Sequence, residues 1–152
     1  VTVSFAQEFL DDVVDEIKPL LVLHWAEIAV RQDKIKLNPD WPKYEALEAQ
    51  GALRIFTARE LGQLVGYFVT IVGPGLHYKD HLFAENDVIF LKSSHRRGLT
   101  GVKLIKFAEA CLRQDGVSVL QINTKTHQAF DPILQRLGFE CFERNYSKWI
   151  SD

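Results

Sequence analysis

Two stretches of this chain gather residues able to do chemistry. The first is Ser93-Ser94-His95-Arg96-Arg97-Gly98-Leu99-Thr100-Gly101-Val102. It sits between the apolar run Val88-Ile89-Phe90-Leu91 and the helically spaced Leu104, Ile105, Ala108 and Leu112. A strand that runs through a basic, glycine-containing loop into a helix suits anion binding. The first amides of a helix have no partner within it, and the helix dipole favours negative charge there. Gly98 and Gly101 let backbone approach a ligand closely. Arg96 and Arg97 can add charge-assisted bonds to phosphate. A plain basic turn at a helix start explains the same letters, so this loop alone does not decide. No Gly-Lys-Ser or Gly-Lys-Thr follows, which excludes a nucleotide P-loop, and the glycine spacing fails the dinucleotide fingerprint.

The second stretch is His77-Tyr78-Lys79-Asp80-His81. His77 can accept a proton near neutral pH and Asp80 can attract an amine. An exposed, charged turn accounts for them equally well. His77 and His81 are four residues apart, but no cysteine partner completes a metal shell, so no metal site is expected. Asp87 opens the run that contains Val88 to Leu91. It suits a base acting through water, a contact for a cationic substrate, or a solvent anchor at a strand end.

These groups need elements to hold them. Val1, Val3 and Phe5 alternate with polar residues and predict a short strand. Phe9, Leu10, Val13, Val14 and Ile17 predict a helix over 6–18, which Pro19 should break. A second helical stretch over 20–30 follows, with Trp25 in its core face. Trp41 and Tyr44 read as core or as the wall of a site. Residues 53–57 and 64–72 predict a hairpin, and 87–92 a central strand. A helix over 102–114, a strand over 117–123 and a helix over 127–137 complete a strand-helix-strand-helix pattern. Strand character returns at 139–143 and again at 146–150. The whole predicts one α/β (α+β) domain over 1–152, with a mixed central sheet flanked by helices. The strands over 87–92 and 117–123 should run parallel, with the helix between them crossing one face.

The chain has 152 residues, 47% of them apolar, and a formal charge of -2. Such a length buries a real core without staples. The near-neutral charge and the lack of a reading motif argue against a nucleic-acid partner. No run is long and apolar enough to suggest a membrane span or a signal peptide, so no membrane role and a cytoplasmic location are expected. Cys111 and Cys141 stand among apolar neighbours and are expected to be buried, reduced and unreactive.

The ordered combination over about residues 52 to 143 resembles the GCN5-related N-acetyltransferase superfamily. The residues that carry it are Asp87 to Leu91, the run from His95 to Glu109, and Leu134-Gln135-Arg136-Leu137-Gly138-Phe139. Within it, the chain looks like small acetyltransferase-like proteins of tailed bacteriophages and prophages, which would place it in a host cytoplasm. The resemblance implies acetyl-CoA as cosubstrate, with the pyrophosphate on Arg96, Arg97, Gly98, Leu99, Thr100, Gly101 and Val102. It implies pantetheine contacts from the backbone of Phe90, Leu91 and Lys92, and direct attack by the acceptor amine on the thioester. The loop departs from the family's Gln/Arg-x-x-Gly-x-Gly/Ala pattern. Counting from Arg96 puts Leu99 in the first glycine position, and counting from His95 puts Thr100 in the last. The helix before the Gly-Phe corner often carries a tyrosine acid in the family, and Leu134 stands there. Tyr146 and Tyr78 are the nearest substitutes. The acceptor side is implied to include Glu27, and the acceptor to be a small-molecule amine or a peptide or protein amine. A protein-binding module and a homodimer stay open as alternatives.

Overall fold

The computed structural model describes residues 2–152. Val1, part of the expected first strand, lies outside them. Five strands form one sheet in the order β1-β2-β3-β4-β5. They are β1 (Val3–Glu8), β2 (Leu53–Glu60), β3 (Gln63–Pro74), β4 (Leu82–Leu91) and β5 (Val117–Gln121). The first four are antiparallel in turn, and β4 and β5 run parallel as the sequence predicts. The helices are α1 (Leu10–Ile28), α2 (Trp41–Ala49), α3 (Thr100–Gln114) and α4 (Asp131–Arg136).

Strand alternation sends side chains to two cores, one on each face. Leu53, Ile55, Tyr67, Val69 and Phe90 pack beneath α1, with α2's Trp41 and Tyr44 at the margin. Phe56, Phe68, Val72 and Ala84 pack against α3 through Leu104, Ala108 and Leu112. The β2–β3 hairpin closes tightly at Leu61 and Gly62, both at positive φ (51° and 78°), as a type I′ connection requires. That turn is shorter than the 58–63 link expected from sequence, because the strands pair up to Glu60 and Gln63.

Pro19 does not break α1, and the two expected helices are one. An interior proline costs about 3 kcal/mol. Leu10, Val13, Ile17 and Leu20 are buried on one face of this helix, and each contributes about 1.5–3 kcal/mol. Their sum outweighs the missing donor, and Pro19 itself faces solvent. No side chain of its own caps α1. The carboxylate of Glu48 on α2 accepts from the Leu10 amide instead, at 2.9 Å.

Past α4 the chain is irregular, so the strands expected over 139–143 and 146–150 do not form. The segment docks on the loop after α1: Arg31 donates to Ser147 Oγ at 3.0 Å, and Lys34 lies 4.9 Å from the Trp149 ring centre. Cys141 is exposed, against expectation, because the strand that would have buried it is absent. Cys111 is half-buried on α3, and burial raises its thiol pKa. No helix among the described residues is long and apolar enough to cross a membrane.

Candidate active-site cleft

The pairing of β4 with β5 stops early. The last partners are Glu85 and Gln121. Beyond them the Asn86 side-chain oxygen accepts from the Asn123 amide at 2.6 Å, and Asn123 Nδ2 donates to Glu85 at 3.2 Å. These bonds turn the chain after β5 away from the sheet. At the same level β4 carries a bulge, since Asp87 has no opposite number on β3. The second half of β4 is therefore left without a neighbour on its β5 side.

Hydrogen-bond parity says which groups face that gap. The Lys92 amide donates to Val65 on β3 at 2.8 Å. Alternate residues of an antiparallel strand bond the same neighbour, so Leu91 and Ile89 direct their backbone groups away from β3. The Leu91 carbonyl duly accepts from Arg96 Nε at 2.7 Å on the open side. Gly66 makes room for this end of β4. A Cβ there would stand 2.7 Å from a Leu91 methyl and 2.9 Å from the Phe90 carbonyl.

A cleft of about 410 Å³ fills the gap. Its floor is residues 86–91, and its far wall includes Asn123, Lys125, Phe130 and Ile133. At one mouth stands the N-terminus of α3. Lys103's amide is the first to bond within the helix, to Leu99 at 2.9 Å, so the amides of Thr100, Gly101 and Val102 are free for a ligand. Gly98 is at φ 95°, a conformation that favours glycine. Gly101 faces the cleft, with only a Leu91 methyl near its missing Cβ, at 3.8 Å. Arg97 is exposed beside them. Free amides, an open glycine and an arginine fit a diphosphate, and unpaired β4 backbone beyond them fits an amide-bearing arm.

Arg96 is not free in solvent, as a simple basic loop would have it. Besides the Leu91 carbonyl, it donates to Glu27 on α1 at 2.6 Å, and its guanidinium lies 5.5 Å from the Phe90 ring centre. One residue of the loop thus reaches through to the opposite mouth.

That mouth is formed by α1. His24 and Glu27 are one turn apart on it and both line the cleft. His24 is buried, 5.1 Å from the Phe90 ring, with Nδ1 3.4 Å from the Tyr67 hydroxyl. Burial pushes its pKa down to about 4, Glu27 opposes this, and Arg96 and Lys125 add to it. Burial also holds the Tyr67 phenol well above its ordinary range. Asp87 reaches this mouth too and accepts a hydrogen bond from Tyr44 of α2. Burial and that bond raise Tyr44's pKa.

Of the residues singled out from sequence, Phe90, Leu91, Arg96, Gly98, Gly101, Val102, Glu27 and Asp87 line this one cleft. Lys92, Arg97, Leu99 and Thr100 adjoin it along the chain. His77, Tyr78 and Asp80 do not join them. They occupy the exposed turn between β3 and β4 and do not line the cleft. Tyr146 is 89% exposed in the irregular terminal segment. Leu134 is buried, so no proton donor stands at that position of α4. Sequence reasoning passed over His24, which reads as a core residue on an apolar helix face, and Asn86. Among the described residues no three His, Cys, Asp or Glu side chains gather as a metal set.

No protein-family sequence model and no curated protein sequence matches the chain. Solved structures do match in fold. A ribosomal-protein-alanine N-acetyltransferase from Brucella melitensis superposes with a TM-score of 0.66 at 20% identity, covering 99% of both chains. Glucosamine-6-phosphate N-acetyltransferase from Arabidopsis thaliana gives 0.74 at 12% identity, over 99% of this chain and 100% of its own. A predicted acetyltransferase from Clostridium acetobutylicum, solved with acetyl-CoA, gives 0.67 at 11% identity, over 99% and 95%. The mixed sheet, in which β4 and β5 part after Glu85 and Gln121, has the same fold as these solved acetyltransferases.

Proposed function

We propose that this chain is an N-acetyltransferase that moves the acetyl group of acetyl-CoA to an amine by direct attack. The observation that carries the reading is the cleft between the unpaired half of β4 and the chain after β5, continuous with the free amides of α3. Thr100, Gly101, Val102 and Arg97 would hold the pyrophosphate. The backbone groups of Ile89 and the Leu91 amide would pair with the pantetheine arm, and their N–H groups would stabilise the charge that develops on the thioester oxygen. Bound acetyl-CoA supplies an acyl group activated by a thiolate leaving group. Asp87 gives the α1 mouth a carboxylate that suits a cationic amine, while Glu27 there is paired with Arg96. With Leu134 apolar and Tyr67 and Tyr44 firmly protonated, no tyrosine is well placed as an acid for the thiolate. The proton released by the attacking nitrogen can serve, since the tetrahedral centre holds both atoms together.

A likeness to phage-encoded proteins, a host-cytoplasmic location and a small-molecule, peptide or protein amine as acceptor belong to this proposal. Leu134 also favours a second reading, a protein-binding module that keeps the coenzyme cleft and has lost turnover. Thiol release from acetyl-CoA, followed against a panel of primary amines and peptides, separates the two. Amine-dependent release supports transfer. Coenzyme binding with no release on any acceptor would support the binding module.

A further inference from the structure

We propose that His24 accepts the proton of the incoming ammonium, and that the Arg96–Glu27 pair holds it idle until a phosphate-bearing ligand draws Arg96 away. The inference rests on the acetyl-transfer reading and deepens it. Four observations place these groups in one unit. His24 and Glu27 share a face of α1 and both line the cleft. Arg96 spans from the phosphate-binding loop to Glu27 at 2.6 Å. Arg96 and His24 both lie against the Phe90 ring, at 5.5 and 5.1 Å. Among the described residues only Tyr67 hydrogen-bonds the imidazole, through Nδ1, so Nε2 has no protein partner. In the tautomer whose Nδ1–H donates to the Tyr67 oxygen, the Nε2 lone pair has no partner within the described protein.

The charges facing His24 set its task. Glu27 lies on its own helix, Arg96 on the loop after β4 and Lys125 on the chain after β5. Tyr67 is on β3, with Tyr44 and Asp87 behind it. In the free protein Arg96 cancels Glu27, and desolvation keeps the imidazole neutral. Arg96 also belongs to the loop that leads into the free amides of α3. A diphosphate there competes with Glu27 for the guanidinium. Once Arg96 turns to it, His24 loses a neighbouring cation and gains an unpaired carboxylate, and both changes favour protonation. Transfer then balances as follows. The ammonium gives one proton to His24 Nε2, and the neutral nitrogen forms the C–N bond. The C–S bond breaks, the sulfur takes the electron pair, and the second nitrogen proton goes to that thiolate. His24 returns its proton to solvent.

The test is NMR titration of histidine-labelled protein, with His24→Gln to assign the signal. In free protein His24 should stay neutral down to about pH 4. Saturating CoA should raise its pKa by about one unit or more. Arg96→Gln should raise it without ligand, and in Glu27→Gln CoA should raise it by less than in wild type. Binding of CoA with no change at His24, or no change in Arg96→Gln, would overturn the proposal. If CoA fails to bind, the acetyl-transfer reading falls, and the ligand-free Arg96→Gln arm still judges the latch. In steady state, His24→Gln should lower kcat about 100-fold at pH 7, the usual scale of a general base. The deficit should shrink above the acceptor's own pKa, where the amine is already neutral. A deficit equal at all pH values would mark His24 as structural.

Discussion

Arg59 fixes the helix that carries Glu27 and His24 to the sheet, and its removal should cost the fold measurably. All five guanidinium N–H groups are used. Nε and Nη2 donate to Glu8 of β1 at 2.9 and 3.0 Å, Nη1 and Nη2 to Glu16 of α1 at 2.9 and 2.8 Å, and Nη1 to the Gly62 carbonyl at 2.9 Å. Thr57 adds a bond to Glu8. The side chains of Arg59 and Glu8 are 18% and 19% exposed, while Glu16 is 43% exposed. Breaking a buried pair costs about 3–5 kcal/mol, and exposed pairs are worth about 0–1. This half-buried cluster falls between, so Arg59→Met should cost about 3 kcal/mol. In a domain of this size that lowers Tm by about 6–12 °C. Adding Glu8→Gln and Glu16→Gln should recover part of the loss, since two facing carboxylates would no longer repel. For Glu8, desolvation raises the pKa but the Arg59 and Thr57 bonds outweigh it; for Glu16 the Arg59 bonds lead, and both end lowered. Groups lowered on folding stabilise above their unfolded pKa and cease to do so as pH falls. The gap between wild type and Arg59→Met should therefore narrow below about pH 4. Urea unfolding at pH 7 and pH 3.5 measures it. A loss under about 0.5 kcal/mol at pH 7 would refute the reasoning.

Three further outcomes follow from the same geometry. His24 has a folded pKa of about 4, against about 6.5 in an unfolded chain. Its neutral form stabilises fully above pH 6.5, and that stability is lost as pH falls towards 4. The full gap is about 3 kcal/mol, or about 2 once water in the cleft is allowed for, and His24→Gln should flatten the stability profile in that window. Gly66→Ala should cost about 1–3 kcal/mol by overpacking against Leu91 and the Phe90 carbonyl, read as a lower Tm. A bulky thiol reagent should label Cys141 quickly and Cys111 slowly in the folded protein, as mass spectrometry of native digests will show.

The parts legible in the sequence were those with strong local patterns. Val88 to Leu91 is a dense apolar run before a basic loop, and Leu104, Ile105, Ala108 and Leu112 keep helical spacing, so α3, its crossover and β4 from Asp87 onward could be read directly, but not the start of β4 at Leu82. The cleft itself could not. It depends on a bulge at Asp87 and on the Asn86–Asn123 bond, which leave no periodic trace. His24 was hidden because a histidine on a helix's apolar face looks like core until Tyr67 and Phe90 are placed around it. Pro19 misled because local propensity was outweighed by burial across the sheet. The 139–150 segment has strand-like residues, yet it is held by Arg31 and Lys34 at the α1 loop rather than by pairing with β5.

Calorimetric titration of acetyl-CoA into the folded chain, beside Arg97→Ala and Gly101→Val, tests the central claim most directly. The account predicts saturable binding in which CoA competes. Arg97→Ala should weaken it about ten- to hundred-fold, the loss of one charge-assisted bond. Gly101→Val should weaken it further by crowding the α3 amides, with circular dichroism unchanged in both. No binding at millimolar acetyl-CoA, or equal affinity in all three folded proteins, would contradict it.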